Sequence, residues 1–395
     1  MRYLVILSLF IFSCTNLADE KGQGKAELID FEKVEETDSL LSPRYLFSET
    51  EFLLLKTPDS LRLTVAGKIR ELNKNILILD QKKNIVFVFD EKGEFISLVG
   101  SKGEGPSEFK EVTDFDVKGD KVYLFSRADF AIFKFNSDLV FEEKIKVDEW
   151  GLQMSVLNTG HYALYSLLVE GDDEFNINVI DNEGSILEKR MIFDRAGDFE
   201  GLDYSGFING EFYTYPLSSY IYKINEGGKF DSLKYEINFP QKFPEEDIFN
   251  WTTFQENSLA KHNNNILTKF EFGLNGEFIC YYGFREGTSN GYTLGIRLAS
   301  GQKFGHKNLK HAAKDKFDDI YLQMFLKGPY NIPYYSKENG QFFVASNTQS
   351  VGIYFDYIVD IITSERVYDK DLLQILKSTD LEESIIMKFK LKERI

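Results

Sequence analysis

Residues 100–107 read G-S-K-G-E-G-P-S and follow an apolar run, FISLVG. The spacing approaches the phosphate-cradling loop G-x-x-x-x-G-K-[ST]. That loop needs its Lys to reach the β- and γ-phosphates, and it must open a helix. Here Pro106 holds the Lys position, and Glu104 and Glu108 would repel phosphate. The next residues, EFKEVTDFDV, read as a loop entering a strand. The dinucleotide pattern G-x-G-x-x-G fails too, because position 108 is Glu. The segment is therefore expected to connect two pieces of sheet. Its glycines would supply positive φ and close approach, Pro106 would stiffen the turn, and Phe109 would plug the gap between the two sheets.

Other chemistry-bearing residues are sparse. The four histidines are His161, His262, His306 and His311, and no HExxH, CxxC or GxSxG accompanies them. The acidic clusters at 172–174, 245–247 and 318–319 lack the Asp-x-Asp-x-Asp-Gly spacing of a calcium loop. No metal or cofactor is expected, and no catalytic set emerges. Asp114 and Asp116 flank Phe115 on one face of a strand start, where they could either point into a central channel or cap a strand edge. Tyr213, Tyr215, Tyr220 and Tyr222 alternate in FYTYPLSSYIY. Tyrosine offers a flat apolar face and a polar tip for protein or sugar contacts, and in a strand it also packs between sheets. Asp114, Asp116, Tyr213 and Tyr215 are the candidate ligand or partner contacts.

The chain of 395 residues carries a net charge of −17, which disfavours nucleic acid and polyanionic membrane surfaces as partners. Aromatics make up 15% of it, with 36 Phe and 21 Tyr, a bias toward strands. It starts MRYLVILSLFIFSC, with Arg2 ahead of an apolar stretch of signal-peptide length, too short to span a bilayer. Ser13-Cys14 resembles a bacterial lipobox, so Cys14 is the expected lipidation site and residues 1–14 the signal. Residues 15–40 are expected to be a flexible tether. With Cys14 acylated, Cys280 has no disulfide partner, and in GEFICYYGF it reads as a buried small hydrophobe.

Strand-like runs begin near residue 45 and recur to the end. Several are apolar on both faces, as strands covered on both sides must be. The turn grammar of IVFVFDEKGEFISLVG returns in IFKFNSDLVFEEKIKV, INVIDNEGSILEKRMIF and YIYKINEGGKFDSLKYEINF, with turns about 45 residues apart, a spacing typical of propeller blades. A short strand pair precedes each copy, giving four strands per unit. The units fall near 61–100, 112–148, 152–194, 203–240, 266–304 and 335–392. The expected fold is all-β, a six-bladed β-propeller over 41–395 with short helical insertions near 244–265, 311–328 and 364–378. SIIMKFKLK would close the ring beside N-terminal strand material.

The runs NIVFVFDEKGEFISLVGSKGEGPSEF, SSYIYKINEGGKFDSLKYEINF and SIIMKFKLK resemble the six-bladed β-propeller lipoproteins of Gram-negative bacteria, relatives of the NHL-type propellers. The resemblance implies the fold and a cell-envelope location, lipid-anchored to the outer membrane and either periplasmic or surface-exposed. It brings no catalytic residues. The expected function is a non-catalytic binding or scaffold protein whose partner is an envelope protein or glycan. The alternatives are an envelope glycan hydrolase or lyase, and a small-ligand sensor using the channel.

Overall fold

The computed structural model describes residues 26–32, 43–166, 177–190, 207–214, 218–225, 230–239, 266–286, 289–305, 332–346, 370–378 and 383–395. Their strands form six sheets. Blade 1 is β3 (Ala66–Leu72), β4 (Asn75–Asp80), β5 (Ile85–Phe89) and β6 (Phe95–Leu98). Blade 2 is β7 (Asp114–Lys118), β8 (Lys121–Ser126), β9 (Ala131–Phe135) and β10 (Phe141–Lys146). Blade 3 is β11 (Gln153–Val156), β12 (Tyr162–Tyr165), β13 (Ile177–Ile180) and β14 (Ile186–Arg190). Blade 4 is β15 (Phe207–Asn209), β16 (Phe212–Thr214), β17 (Tyr220–Ile224) and β18 (Phe230–Asn238). Blade 5 is β19 (Ile266–Phe272), β20 (Phe278–Glu286), β21 (Ser289–Arg297) and β22 (Lys303–Phe304). Blade 6 is β23 (Tyr334–Ser336), β24 (Gln341–Ala345) and β25 (Ile385–Leu391), completed by β2 (Phe47–Leu54).

The pairing of β2 with β25 is antiparallel, from Phe47 opposite Leu391 to Leu54 opposite Ile385. N-terminal strand material thus closes the ring as the outermost strand of the last blade, which leaves no open sheet at the junction. The innermost strands β3, β7, β11, β15, β19 and β23 touch in sequence, and β23 returns to β3.

The apolar core is divided among the six blade interfaces. Strand alternation decides which interface each residue serves. In β4, Ile76 and Ile78 pack against Phe343, Ala345 and Ile386 of blade 6, while Leu77 and Leu79 face Phe115, Val122 and Leu124 of blade 2. In β20, Phe278, Cys280 and Tyr282 face blade 4, while Ile279 and Tyr281 face blade 6. A blade buries both faces only because it has a neighbour on each side. This is why its strands read as continuous apolar runs.

The repeated turn has one geometry. Asp90 Oδ1 accepts the N–H groups of Lys92 and Glu94 at 2.8 and 2.9 Å. Asp181 Oδ1 treats Glu183 and Ser185 alike at 2.9 and 2.8 Å, and Asn136 Oδ1 takes Asp138 and Val140 at 3.0 and 2.9 Å. The fourth residue of each turn has positive φ, namely Gly93 (81°), Leu139 (60°) and Gly184 (93°).

The connector 100–109 folds onto its own carboxylate. Glu108 Oε2 accepts the Gly105 N–H at 2.8 Å, and a Cβ at Gly103 would lie 1.9 Å from the same oxygen. A negative side chain thus fills the space a phosphate would need. Positive φ is confined to Gly100 among the three glycines of this loop. Phe109 is buried between blades 1 and 2.

Two further expectations meet the structure here. Within the span read as tether, Glu27–Asp30 is a strand, β1, which pairs in parallel with β18 and adds a fifth strand to blade 4. The correction has a physical cause. Ile29 and Phe31 are buried between blades 4 and 5, which secures a short segment with no repeat grammar of its own. Of the expected helical insertions, the structure describes α1 (Lys370–Ser378), whose Leu372 and Leu376 pack into the interface of blades 5 and 6. The insertions near 244–265 and 311–328 lie outside the described residues.

Candidate functional site: the channel and its mouth

Each innermost strand has an edge that faces the channel, and its N–H groups need partners. For β11, β15, β23 and β3, side chains of the preceding blade supply them. Asp114 Oδ2 accepts the Met154 N–H at 2.7 Å and Asp116 Oδ2 accepts the Val156 N–H at 2.9 Å. Gln153 Oε1 accepts the Ile208 N–H at 3.0 Å. Glu271 takes the Tyr335 N–H, and the Tyr334 hydroxyl takes the Glu71 N–H.

Two cations of β3 complete this belt. Lys68 Nζ lies 2.8 Å from Asp114 Oδ2 and donates to the Met154 carbonyl at 2.7 Å. Arg70 Nε donates to Asp116 Oδ1 at 2.5 Å. The second guanidinium branch reaches across the channel to Asn209 Oδ1 at 3.3 Å, and Asn209 Nδ2 donates to Glu271 Oε2 at 2.8 Å. Arg70 also lies over the Tyr334 ring, 5.4 Å from its centre. The relay from Asp116 through Arg70 and Asn209 to Glu271 therefore joins blades 2, 1, 4 and 5.

Burial works against every charge here. It lowers the Lys68 pKa despite Asp114. For Asp116, burial is outweighed by Arg70 and Lys68, which hold its carboxyl below the usual range. For Glu271, burial wins over Asn209 and Arg70, and its pKa is pushed up to about 7.

The channel widens where the innermost strands end. A cavity of about 480 Å³ opens there, among the hairpins that lead from each innermost strand to the second strand of its blade. Arg70, Asp116, Asn209, Glu271 and Tyr334 form its floor. Phe212, Phe272 and Leu274 of blades 4 and 5 form an apolar flank, with Phe212 and Phe272 ring centres 5.1 Å apart. Lys118, Asn158, Lys337 and Glu338 stand on the other sides.

Of the residues singled out from sequence, Asp116 reaches the cavity, while Asp114 is buried deeper in the channel with Lys68. Tyr213 is fully buried between blades 3 and 4 and stacks on Tyr222 at 5.4 Å. Tyr215 and Cys14 lie outside the described residues. Lys68, Arg70, Asn209 and Glu271 were missed. A buried charge within an inner-strand run, as in AGKIREL and TKFEF, was the available signal. Cys280 is buried and free, and burial raises its thiol pKa well above normal. Among the described residues, no group of three His, Cys, Asp or Glu side chains could hold a metal ion.

The fold matches solved structures over nearly its whole length. A Bacteroides fragilis protein named for its expected export is 19% identical, with a TM-score of 0.68 over 92% of this chain and 99% of that one. A member of the duf4221 family from Bacteroides vulgatus is 9% identical, with a TM-score of 0.55 over 88% of this chain and 97% of that one. No curated protein matches the sequence. The model of the family DUF5128, described as a 6-bladed beta-propeller, matches residues 18–294, and the chain belongs to that family.

Proposed function

We propose that this protein is a lipid-anchored propeller of the cell envelope that works as a non-catalytic binding protein, with the channel mouth as its binding site. One observation carries the reading. The buried charges of the channel are already committed to each other and to strand edges, yet the mouth keeps a formed cavity of about 480 Å³ in which Arg70, Asp116 and Tyr334 meet. Mixed polar and aromatic walls around one concavity suit a small ligand better than a flat protein partner.

The envelope location rests on the apolar N-terminus ending at Cys14 and agrees with the likeness to a Bacteroides protein named for export. Topology adds an orientation. In each blade, the innermost strand runs toward the mouth and the outermost runs away from it. Because β1 is parallel to the outermost strand β18, its first residue, Glu27, lies toward the mouth, where it pairs with Arg297 at 2.5 Å. The chain from Cys14 to Glu27 reaches at most about 45 Å. An acylated Cys14 would thus hold the mouth within that distance of the bilayer.

A second reading, a glycan hydrolase or lyase, draws on Glu271. A carboxyl with a pKa of about 7 in a cleft suits a general acid. Its bonds to Asn209 and to the Phe272 and Tyr335 amides all have it accept a hydrogen bond, where a general acid must donate its proton, and this disfavours the catalytic reading.

The test is in-cell crosslinking of the tagged full chain beside its Cys14→Ala form, with fatty-acid labelling of both. The proposal expects labelling of the parent alone and no stoichiometric protein partner. Labelling that survives Cys14→Ala would remove the anchor. A stoichiometric protein crosslinked at the mouth would replace the small-ligand reading by a scaffold, and turnover of an envelope glycan, lost in Glu271→Gln, would replace it by an enzyme.

A further inference from the structure

The cavity lining has five carboxylates against three cations. Arg70, one of those cations and the one that acts on Glu271, is already bonded to Asp116. Another, Lys118, donates to Asn158. Glu271 sits in the floor, 9% exposed. An anion entering this space would meet a negative wall and find the guanidinium taken.

Two features separate an organic cation from a metal ion. Among the described residues the carboxylates do not gather into a cluster of three ligands. Beside them stands the aromatic flank, where half-buried Phe212 and Phe272 are backed by Tyr235 at 4.8 Å from Phe272 and extended by the exposed Leu274. A ring or alkyl body can lie on that flank while an ammonium group approaches the carboxylates, and the ring faces add a cation–π attraction.

We propose that the channel mouth is a binding site for a small organic ammonium compound, its charge directed toward Glu271 and its apolar body against Phe212, Phe272 and Leu274. This rests on the mouth being the binding site, as proposed above, and names the ligand class for it. The gain of placing an ammonium near a carboxylate is larger here than in water, because the floor is desolvated.

The experiment is calorimetric titration of the full mature chain at pH 7.5 with three probes of nearly equal shape: phenethylamine, which is cationic, phenethyl alcohol, which is neutral, and 3-phenylpropionate, which is anionic. Phenethylamine is expected to bind at least about tenfold tighter than the alcohol, and the carboxylate not at all in the same range. Glu271→Gln should erase the preference for the amine. If that variant does not fold, Leu274→Lys, at an exposed rim position, should weaken the amine severalfold more than the alcohol, because both lose one apolar contact and only the amine meets the added positive charge. Equal or tighter binding of the alcohol or the carboxylate would overturn the ammonium assignment while leaving the mouth as a binding site. Failure of all three probes at millimolar concentration would overturn both.

Discussion

Asn209 joins two charged residues of opposite fate, and its contact with Glu271 is the decisive one. The Asn209 amide donates to Glu271 Oε2 at 2.8 Å while its carbonyl oxygen accepts from Arg70 at 3.3 Å. A neutral residue on blade 4 thus couples a guanidinium on blade 1 to a carboxyl on blade 5 across the channel. The channel is therefore a structural belt along its length and a candidate site only at its mouth.

Stability should depend on pH through Glu271. Its folded pKa of about 7 lies above its value in an unfolded chain, so the folded state holds the extra proton between about pH 4.5 and 7. Its contribution is complete below the unfolded value and is lost as pH rises through the folded one, amounting to about 3 kcal/mol. Arg70, Asp116 and Tyr334 face it from β3, β7 and β23, and Glu71 lies nearby on β3. Asp116 acts in the opposite direction, because its folded pKa is lowered and its contribution fades in acid. Urea denaturation of the parent and of Glu271→Gln from pH 4.5 to 8 should show the parent losing stability relative to the variant as pH rises. Parallel curves would show that burial does not govern this carboxyl.

Asp116→Ala should cost about 3–5 kcal/mol, because it leaves the Arg70 charge buried without its partner and the Val156 N–H without its acceptor. Replacing both members of the pair by Leu and Met should recover much of that loss. Chemical denaturation of the single and double variants measures it.

Phe31→Ala should destabilise the fold by about 3–5 kcal/mol. Phe31 is buried, stacks on Phe239 with ring centres 6.1 Å apart and lies 6.4 Å from Tyr282. Hydrogen exchange should accelerate in β1 and in the outer part of blade 4, and remain slow in blades 1 and 2. Uniform acceleration throughout would mean that β1 is not a separate strap.

Gly184→Ala tests the repeated turn. A Cβ there would sit 1.9 Å from the Lys146 carbonyl oxygen, on a residue with φ of 93°. Gly93→Ala meets the Leu54 carbonyl oxygen at 2.0 Å with φ of 81°. Each should lower stability by more than about 1 kcal/mol, with strain and a backbone clash together. Thermal melts that coincide with the parent would show that the turn does not press against the preceding blade.

Cys280 should resist thiol reagents in the native protein and react fully in denaturant, since it is buried and its pKa is raised well above normal. Rapid native labelling would require blades 4 and 5 to separate locally.

What the sequence determined by itself was the fold. Apolar runs such as NILILD and IVFVF leave no polar face, so each sheet must be covered twice. The Asp or Asn turn, repeated at 90, 136 and 181, sets the blade spacing. These signals are local, and four strands and a turn can be read without knowing where the neighbouring blade lies. Asp114 and Asp116 were legible as channel or edge residues because alternation places them on one side of β7.

What only the tertiary structure decided was the company those residues keep. Arg70 meets Asn209, distant in sequence, because ring closure brings blades 1 and 4 to opposite sides of one channel. The shift of Glu271 comes from burial that its own strand does not impose. Phe31 counts as core because a parallel strand pairing places it between two blades. Tyr213, one of an alternating set, proved to be core for the converse reason, since the interface of blades 3 and 4 closes over it. Blade patterning is written in neighbours along the chain. The channel mouth is built from two to five residues of each blade, and only the closed ring brings them together.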